Sequence, residues 1–163
     1  MPKTKLQEVK NYEFLSFNNK KVKLSELFGN KKDLILIHNM GTSCRYCTMW
    51  ADGFIGALKH MENRAAFVVV SNDKSDTQKK FHKSRGWNFN MVSASQNSFT
   101  KDMGMGTIQN PMPGVSTFYK KDGKIYRVAK DKFGPGDKYC IPWHFFDLLK
   151  DGANNWEPKY KYC

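Results

Sequence analysis

Two cysteines separated by two residues are the part of this sequence best suited to chemistry. Cys44 and Cys47 follow an apolar run at positions 34–37 and precede a segment, 48–61, that is typical of a helix. Backbone N–H groups and the positive end of the helix dipole stabilise a thiolate at a helix start, where lowered cysteine pKa values are common. The pattern therefore indicates thiol–disulfide exchange.

The order of the two sulfurs predicts a role for each. Cys44 lies on the loop side, so we expect it to be the more exposed and to attack a substrate disulfide, while Cys47 resolves the mixed disulfide. The alternatives are half of a zinc site or two unreactive core thiols. Structural zinc takes about four ligands, and the sequence has no second Cys-x-x-Cys and no close histidine pair. We therefore predict no metal and, because the sulfurs carry the exchange, no bound organic cofactor.

Residues close to the dithiol have candidate supporting roles. Arg45 either holds the Cys44 thiolate by charge and selects an acidic partner, or is an exposed arginine at a helix start. Asp52 either supplies a polar group beneath Cys47 or faces solvent. Trp50 is assigned either to the core or to substrate binding.

Two short apolar runs predict the strands that position the dithiol. Residues 34–38 and 67–70 are apolar at nearly every position, as in strands that are covered on both faces. Helical segments follow at 48–61 and at about 75–84. Strand, helix, strand, helix at these lengths implies right-handed crossovers and parallel strands in a sheet.

Antiparallel elements flank this central unit. Residues 12–24 predict an N-terminal hairpin, and residues 115–128 predict a second hairpin that turns at Lys121-Asp122-Gly123. A final helix is predicted at 142–150, and a loose tail at 154–163.

The composition bounds the class of protein. A chain of 163 residues that is 40% hydrophobic is enough for one domain, so we predict a single domain over residues 1–163. No apolar stretch approaches the roughly 20 residues that cross a bilayer, and residues 1–8 lack the apolar core of a secretory signal. Four cysteines are too few for a disulfide scaffold. We therefore expect a cytoplasmic protein without a membrane span.

The charge of the chain is strongly positive but dispersed. Lysine and arginine number 27 against 15 aspartate and glutamate, which gives a net charge of +12. Such a surface attracts acidic partners or polyanions at low salt. The lysines are spread in pairs along turns, helix faces and the tail, without a nucleic-acid-binding signature. We expect mainly a solvated surface and no specific nucleic-acid partner.

The order of these elements, together with the dithiol, resembles the thioredoxin-like superfamily. The N-terminal hairpin and the segment at 25–29, Ser-Glu-Leu-Phe-Gly, are similar to the peroxiredoxin-type branch of that superfamily. Residues 44–54 and 113–119 resemble a largely uncharacterised family of predicted dithiol–disulfide oxidoreductases. The resemblance implies a thioredoxin-like three-layer α/β fold with a mixed central sheet and an N-terminal hairpin extension.

The resemblance also implies roles for residues outside the motif. His38, six residues before Cys44, takes the position at which thioredoxins carry a buried carboxylate that assists proton transfer to the second cysteine. An imidazole there could act as a base near neutral pH, or it could be a hydrogen-bonded core histidine. Pro113 is the candidate for the superfamily's cis proline facing the dithiol, with Val115 as the alternative position. Met112, beside Pro113, is assigned to substrate binding.

Two departures from the superfamily bear on the activity. Peroxiredoxins place a proline and a threonine ahead of the peroxidatic cysteine, whereas residues 40–43 here are Met-Gly-Thr-Ser, which argues against peroxide reduction. Thioredoxins have Gly-Pro between the cysteines, whereas this chain has Arg45-Tyr46. The reduction potential of thioredoxins therefore does not carry over, because it depends on how far each thiolate is stabilised.

We predict a thiol–disulfide oxidoreductase that acts on a protein or small-molecule disulfide and exchanges electrons with a dithiol protein or glutathione. The alternatives are a thiol-dependent peroxidase of the same fold, and a basic binding module whose dithiol is structural or vestigial. Cys140 and Cys163 are expected to be non-catalytic; the alternative is that Cys163 resolves, as tail cysteines of some peroxiredoxin-like proteins do. The sequence leaves open whether the chain forms a homodimer.

Overall fold

A computed structural model describes residues 5–163 of the chain. Residues 1–4, the first half of the segment predicted to lack a secretory signal, lie outside the described part. The strands are β1 (Gln7–Val9), β2 (Glu13–Leu15), β3 (Lys21–Lys23), β4 (Asp33–His38), β5 (Ala66–Ser71), β6 (Asn90–Ser93), β7 (Gly114–Lys121) and β8 (Lys124–Lys132). Within residues 5–163 they form one eight-stranded sheet in the order β1-β8-β7-β4-β5-β6-β2-β3.

The sheet is mixed, as the sequence predicts. The central strand β4 pairs in parallel with β5, and β5 pairs in parallel with β6, because helical connections return the chain in the same direction. The remaining pairings are antiparallel, including the N-terminal hairpin of β2 and β3 and the hairpin of β7 and β8. Asp122 and Gly123, both with positive φ, form the two-residue turn of the second hairpin. The prediction of an α/β sheet with an N-terminal hairpin is confirmed.

The described residues also contain six helices, five between strands and one after β8. They are α1 (Leu24–Leu27), α2 (Arg45–Phe54), α3 (Leu58–Arg64), α4 (Ser75–Ser84), α5 (Phe99–Asp102) and α6 (Ile141–Phe146). The single helix predicted at 48–61 is two helices, α2 and α3, and the break follows from Gly53 and Gly56, which are weak helix formers. The last helix ends at Phe146, earlier than predicted.

Side-chain alternation along β4 divides the core into two. Leu34 and Leu36 point to one face of the sheet, where α1 and α5 pack, whereas Ile37 points to the other face. On that second face lie α2, α3, α4 and α6, which bring Cys47 and Trp50 into contact with the sheet. The structure is therefore a sheet between two helical layers, and the dithiol belongs to the thicker layer.

Phe99 of α5 is the centre of the first core. Its ring is fully buried and lies edge-on to Tyr12 and Phe14, with ring centroids 5.1 and 5.0 Å away. It also stacks on His38 and contacts Phe118. Because these rings come from the N-terminal hairpin region, β4 and β7, Phe99 joins parts of the chain that are distant in sequence.

His38, the last residue of β4, is buried in the same core. Its Nε2 lies 2.8 Å from Ser116 Oγ, and Arg127 donates from Nη2 to Ser116 Oγ at 2.9 Å and to the Met103 carbonyl at 2.8 Å. Burial and, second, the positive charge of Arg127 lower the pKa of His38 to about 3. The imidazole is therefore neutral near pH 7.

Replacing Phe99 by alanine is expected to lower the free energy of unfolding by about 3–5 kcal/mol, because a large buried ring is lost and a cavity is left. Denaturant titration followed by circular dichroism measures this loss. The matched control is Phe145→Ala, whose ring is 64% exposed and whose loss is expected to change stability by less than about 0.5 kcal/mol. Equal losses in the two variants would contradict the core described here.

Replacing His38 by glutamine tests its buried neutral state. The unfolded chain binds a proton at this histidine below about pH 6.5, and the folded protein does so only near pH 3. Folding stability of the wild type should therefore fall relative to His38→Gln as the pH drops through this window, by at most about 1.4 kcal/mol per pH unit. Unfolding titrations at several pH values measure the difference, and a difference independent of pH would refute the assignment.

Candidate active site

Cys44 is the N-cap residue of α2, directly after the loop that leaves β4. Its backbone is extended, and its Sγ accepts a hydrogen bond from the backbone N–H of Cys47 at 3.1 Å. The Cys44 carbonyl accepts a hydrogen bond from the Thr48 hydroxyl at 2.9 Å, which fixes the first turn of the helix. The sulfur therefore lies where the unpaired N–H groups of the helix start point.

The two sulfurs have unequal surroundings. Cys44 is half-buried, whereas Cys47 is 2% exposed, and both are free thiols. A hydrogen bond from the Cys47 thiol and backbone N–H groups of Cys47 and Tyr46 lower the pKa of Cys44 to about 7, although partial burial opposes them. The same thiol hydrogen bond, burial and the negative charge of Cys44 raise the pKa of Cys47. One proton is thus held on Cys47 while Cys44 carries the charge.

The backbone N–H of Met40 also points at the inner sulfur. It donates to Cys47 Sγ at 3.4 Å and acts to lower the pKa of Cys47, against the larger effects that raise it. Cys47 therefore has a hydrogen-bond donor in place for a thiolate, although the thiol form is favoured while Cys44 is charged.

The structure does not bring His38 to the dithiol. Its ring lies with Ser116 and Phe99 on the face of the sheet opposite to Cys47. Because side chains alternate along β4, the residue on the dithiol face is Ile37, one position earlier. The role of His38 as a base for Cys47 is therefore replaced by its alternative, a hydrogen-bonded core histidine.

The two charged residues predicted near the motif are paired with other groups. Arg45 forms an exposed ion pair with Glu157 at 3.2 Å, so its guanidinium is directed at a carboxylate. Asp52 forms an ion pair with Arg85 and accepts a hydrogen bond from Trp87 Nε1 at 2.8 Å. Asp52 thus connects α2 to the end of α4, with its carboxylate directed at Arg85 and Trp87 and 35% of its side chain still exposed.

Trp50 lies in the core of the dithiol layer. Its indole is 3% exposed and packs against Phe133, with ring centroids 5.3 Å apart, and against Tyr46. The side chain therefore has almost no surface for a substrate, and of its two assigned roles the core role agrees with this position.

The loop before β7 supplies the last predicted residues. Pro113 directly precedes β7, whose Gly114 pairs with His38 at the end of β4. No peptide bond in residues 5–163 is cis, so the expected cis bond is found neither before Pro113 nor before Val115, the alternative position. Met112 is 37% exposed, and its backbone N–H bonds the Met105 carbonyl.

The segment 154–163, predicted to be loose, makes specific contacts that the sequence analysis missed. The Tyr160 hydroxyl donates to the Thr42 carbonyl at 2.8 Å, two residues before Cys44, and Glu157 pairs with Arg45. These contacts join residues 112 and 118 positions apart, and no local sequence pattern signals them.

The part of the chain that the structure describes contains no cluster of three or more His, Cys, Asp or Glu side chains arranged to hold a metal ion. Among the same residues, no helix has the length and apolar character needed to cross a membrane. The other two cysteines differ from the dithiol: Cys140 is buried, and burial raises its pKa to about 11, with a further effect of Asp137, whereas Cys163 is exposed.

Known structures of similar fold are peroxiredoxins and related proteins. Peroxidoxin BcpB from Mycobacterium tuberculosis is 25% identical, with a TM-score of 0.61 over 79% of this chain and 86% of that chain. A peroxiredoxin-like protein from Aquifex aeolicus is 17% identical, with a TM-score of 0.62 over 81% and 78% of the two chains. The mitochondrial 2-Cys peroxiredoxin from Plasmodium falciparum is 17% identical, with a TM-score of 0.59 over 78% and 82%. The predicted thioredoxin-like fold of the peroxiredoxin type is confirmed.

At the level of sequence, no curated protein matches the chain significantly. A protein family described as "Bacterial protein of unknown function (DUF899)" matches residues 1–163. That match covers the sheet, the dithiol and the segment that contacts it. The chain therefore belongs to the DUF899 family.

Proposed function

We propose that this protein is a thiol–disulfide oxidoreductase in which Cys44 attacks a disulfide and Cys47 resolves the product. The observation that carries the proposal is the unequal pair of sulfurs: a half-exposed thiol at a helix start with a pKa lowered to about 7, hydrogen-bonded by a buried thiol. At the coarser level, the peroxiredoxin-like neighbours support a redox function on a thioredoxin-type fold.

The first step is attack by the Cys44 thiolate on one sulfur of the substrate disulfide. A bond forms between Cys44 Sγ and that sulfur, and the other substrate sulfur leaves as a thiolate that takes a proton from water. At pH 7 about half of Cys44 is ionised. The thiolate is thus populated at neutral pH while its nucleophilicity stays high, since nucleophilicity falls with pKa.

The second step uses a change in the charge of Cys44. In the mixed disulfide Cys44 carries no charge, so one of the causes that raise the pKa of Cys47 is removed. Cys47 then loses its proton more easily, helped by the N–H of Met40, and attacks Cys44 Sγ. The bond between Cys44 Sγ and the second substrate sulfur breaks, and this sulfur leaves as a thiolate that takes up a proton from water in place of the proton lost by Cys47. Two electrons have then passed to the substrate, and Cys44 and Cys47 are joined by a disulfide.

A reductant must return the disulfide to the dithiol. The proposal assigns this role to a dithiol protein or glutathione, with a protein or small-molecule disulfide as substrate. A cytoplasmic location is part of the same proposal, because a reducing compartment keeps such thiols free for exchange.

A peroxidase is the second candidate, because the relatives of similar fold include peroxidoxin BcpB at 25% identity. In that reaction the Cys44 thiolate attacks a peroxide oxygen, an alcohol or water leaves, and Cys44 becomes a sulfenic acid that Cys47 converts to a disulfide. Peroxide consumption with a thiol donor, together with trapping of the sulfenic acid at Cys44, would favour this reaction. Disulfide reduction without peroxide turnover would favour the first proposal.

The pH dependence of Cys44 alkylation tests the activation of the nucleophile. Because the pKa is lowered to about 7, the rate with iodoacetamide is expected to rise through pH 7 and to level off by about pH 8.5, where the thiolate is fully formed. Trypsin cleaves at Arg45 and separates the two cysteines, so mass spectrometry follows Cys44 alone. In Cys47→Ala the lost thiol donor should move the midpoint upward, and in Cys47→Ser, which keeps an O–H donor, by less. A wild-type midpoint above about 8.5 would show an ordinary cysteine.

Substitution of each cysteine tests the order of the two steps. Cys44→Ser is expected to reduce insulin disulfides no faster than the thiol reductant does without protein, because the attacking sulfur is gone. Cys47→Ser should accumulate mixed disulfides that non-reducing electrophoresis detects, because the resolving sulfur is gone. Cys140→Ser is the control and should keep the wild-type rate. Wild-type turnover by Cys44→Ser would end the proposal.

A further inference from the structure

Residues 156–160, called the strap here, run beside the start of α2 and the loop that precedes Cys44. At one end, Trp156 packs against Trp143 and Phe146 of α6, with ring centroids 5.8 and 5.0 Å apart. Trp143 in turn stacks on Tyr46, which lies between the two cysteines. This end of the strap is therefore held beside the first turn of α2.

The other end of the strap is attached on the opposite side of the dithiol loop. The Tyr160 hydroxyl donates to the Thr42 carbonyl at 2.8 Å, and its ring lies edge-on to Phe81 of α4. Arg85, which is also paired with Asp52 of α2, donates to the Tyr160 carbonyl. The strap thus ends on the loop that precedes Cys44 and on the C-terminal end of α4.

Between these ends the strap passes the start of α2. Glu157 pairs with Arg45, the residue directly after Cys44, and Pro158 is buried. The negative charge of Cys44 adds to burial in raising the pKa of Tyr160, which agrees with a short separation between the phenol and the sulfur. A segment anchored on Thr42 and Arg45 leaves Cys44 half-buried and open to a small molecule, but it occupies the surface beside the sulfur.

We propose that the strap sets the size selectivity of the dithiol. A small disulfide or thiol reagent reaches Cys44 past the closed strap, whereas a disulfide within a polypeptide reacts only after the Tyr160 end is released. The selectivity between disulfide substrates rests on the proposed function. The access of a reagent to Cys44, however, is a property of the thiol and is measurable without turnover.

The anchors are weak enough for such release. The ion pair of Glu157 and Arg45 is exposed, with 59% and 44% of the side chains accessible, and exposed pairs add little stability. The hydrogen bond of Tyr160 to Thr42 is the more specific anchor. A typical net hydrogen-bond energy corresponds to about a fivefold change in an equilibrium constant. Removing the bond from Tyr160 to Thr42 should therefore raise the population with an open strap about fivefold.

The test compares two alkylating reagents of different size on the reduced 163-residue chain. Iodoacetamide is the small probe, and a maleimide carrying a long poly(ethylene glycol) chain is the large probe; the tryptic peptide that ends at Arg45 reports Cys44 alone. The variants are Tyr160→Phe, which removes only the hydroxyl, Tyr160→Ala, which also removes the ring, and Glu157→Gln. The matched control is Tyr126→Phe, a tyrosine of β8 that pairs with Glu8 of β1 and Tyr119 of β7.

We expect the large probe to react about fivefold faster in Tyr160→Phe, faster still in Tyr160→Ala, and less than about twofold faster in Glu157→Gln. The iodoacetamide rate at a pH where the thiolate is fully formed should stay within about twofold throughout, and Tyr126→Phe should match the wild type.

Unchanged rates with the large probe in both Tyr160 variants would overturn the proposal. Equal acceleration of both probes would also overturn it, because the segment would then act on the reactivity of the thiol and not on access. Neither result depends on insulin reduction, so failure of the proposed function and failure of the strap are distinguishable. Thermal unfolding of each variant checks that the fold is retained.

Discussion

The hydrogen bonds from Cys47 to Cys44 Sγ are the interaction on which the site depends. They exist only if α2 starts at Arg45, because the N–H of Cys47 is then unpaired within the helix and free to point at the N-cap sulfur. The side chain of the same residue supplies a second donor. Cys47 therefore lowers the pKa of Cys44 while it keeps its own proton, so two chemically identical thiols take different roles.

The start of α2 is fixed by a loop that tolerates little change. Gly41 has φ of +104°, and a Cβ at this position would lie 2.8 Å from a carboxylate oxygen of Asp73, so a side chain here would strain the backbone and displace that carboxylate. The same carboxylate accepts the N–H of Thr42 at 2.9 Å. The loop after β4 is thus tied to the loop after β5, and the parallel pairing of the two strands is what brings these loops together.

Local patterns in the sequence identify those features that depend on neighbouring residues. The apolar runs at 34–38 and 67–70, the Asp122-Gly123 turn and the dithiol at a helix start all follow from spacing and composition, and they are found as β4, β5, the β7–β8 turn and the N-terminus of α2. The break between α2 and α3 depends on two glycines. Each glycine lowers helix stability only modestly, so the periodic apolar pattern across this segment hides the break.

Features that depend on the face of an element or on distant contacts escape a sequence analysis. His38 has the spacing of a catalytic group, and the alternation along β4 shows which residues share its face, but only the packing of α2 shows that this is the face without the dithiol. Likewise, nothing in residues 154–163 indicates that Tyr160 meets Thr42. Long-range polar contacts of this kind carry no periodicity.

The chain between the cysteines explains how the site differs from that of thioredoxins. Tyr46 stacks on Trp143, so the residues that are Gly-Pro in thioredoxins here attach α6 to α2, and Arg45 attaches to Glu157. Both residues are committed to holding neighbouring segments, and hydrogen bonds from Cys47 stabilise the thiolate. A pKa of about 7 at Cys44 is close to the value of about 7 found in thioredoxin and far from the value of about 3.5 in the strongly oxidising DsbA. The side chains between the cysteines are thus used for packing and ion pairing, while the pKa of Cys44 is lowered by the thiol and backbone N–H of Cys47 and by the backbone N–H of Tyr46.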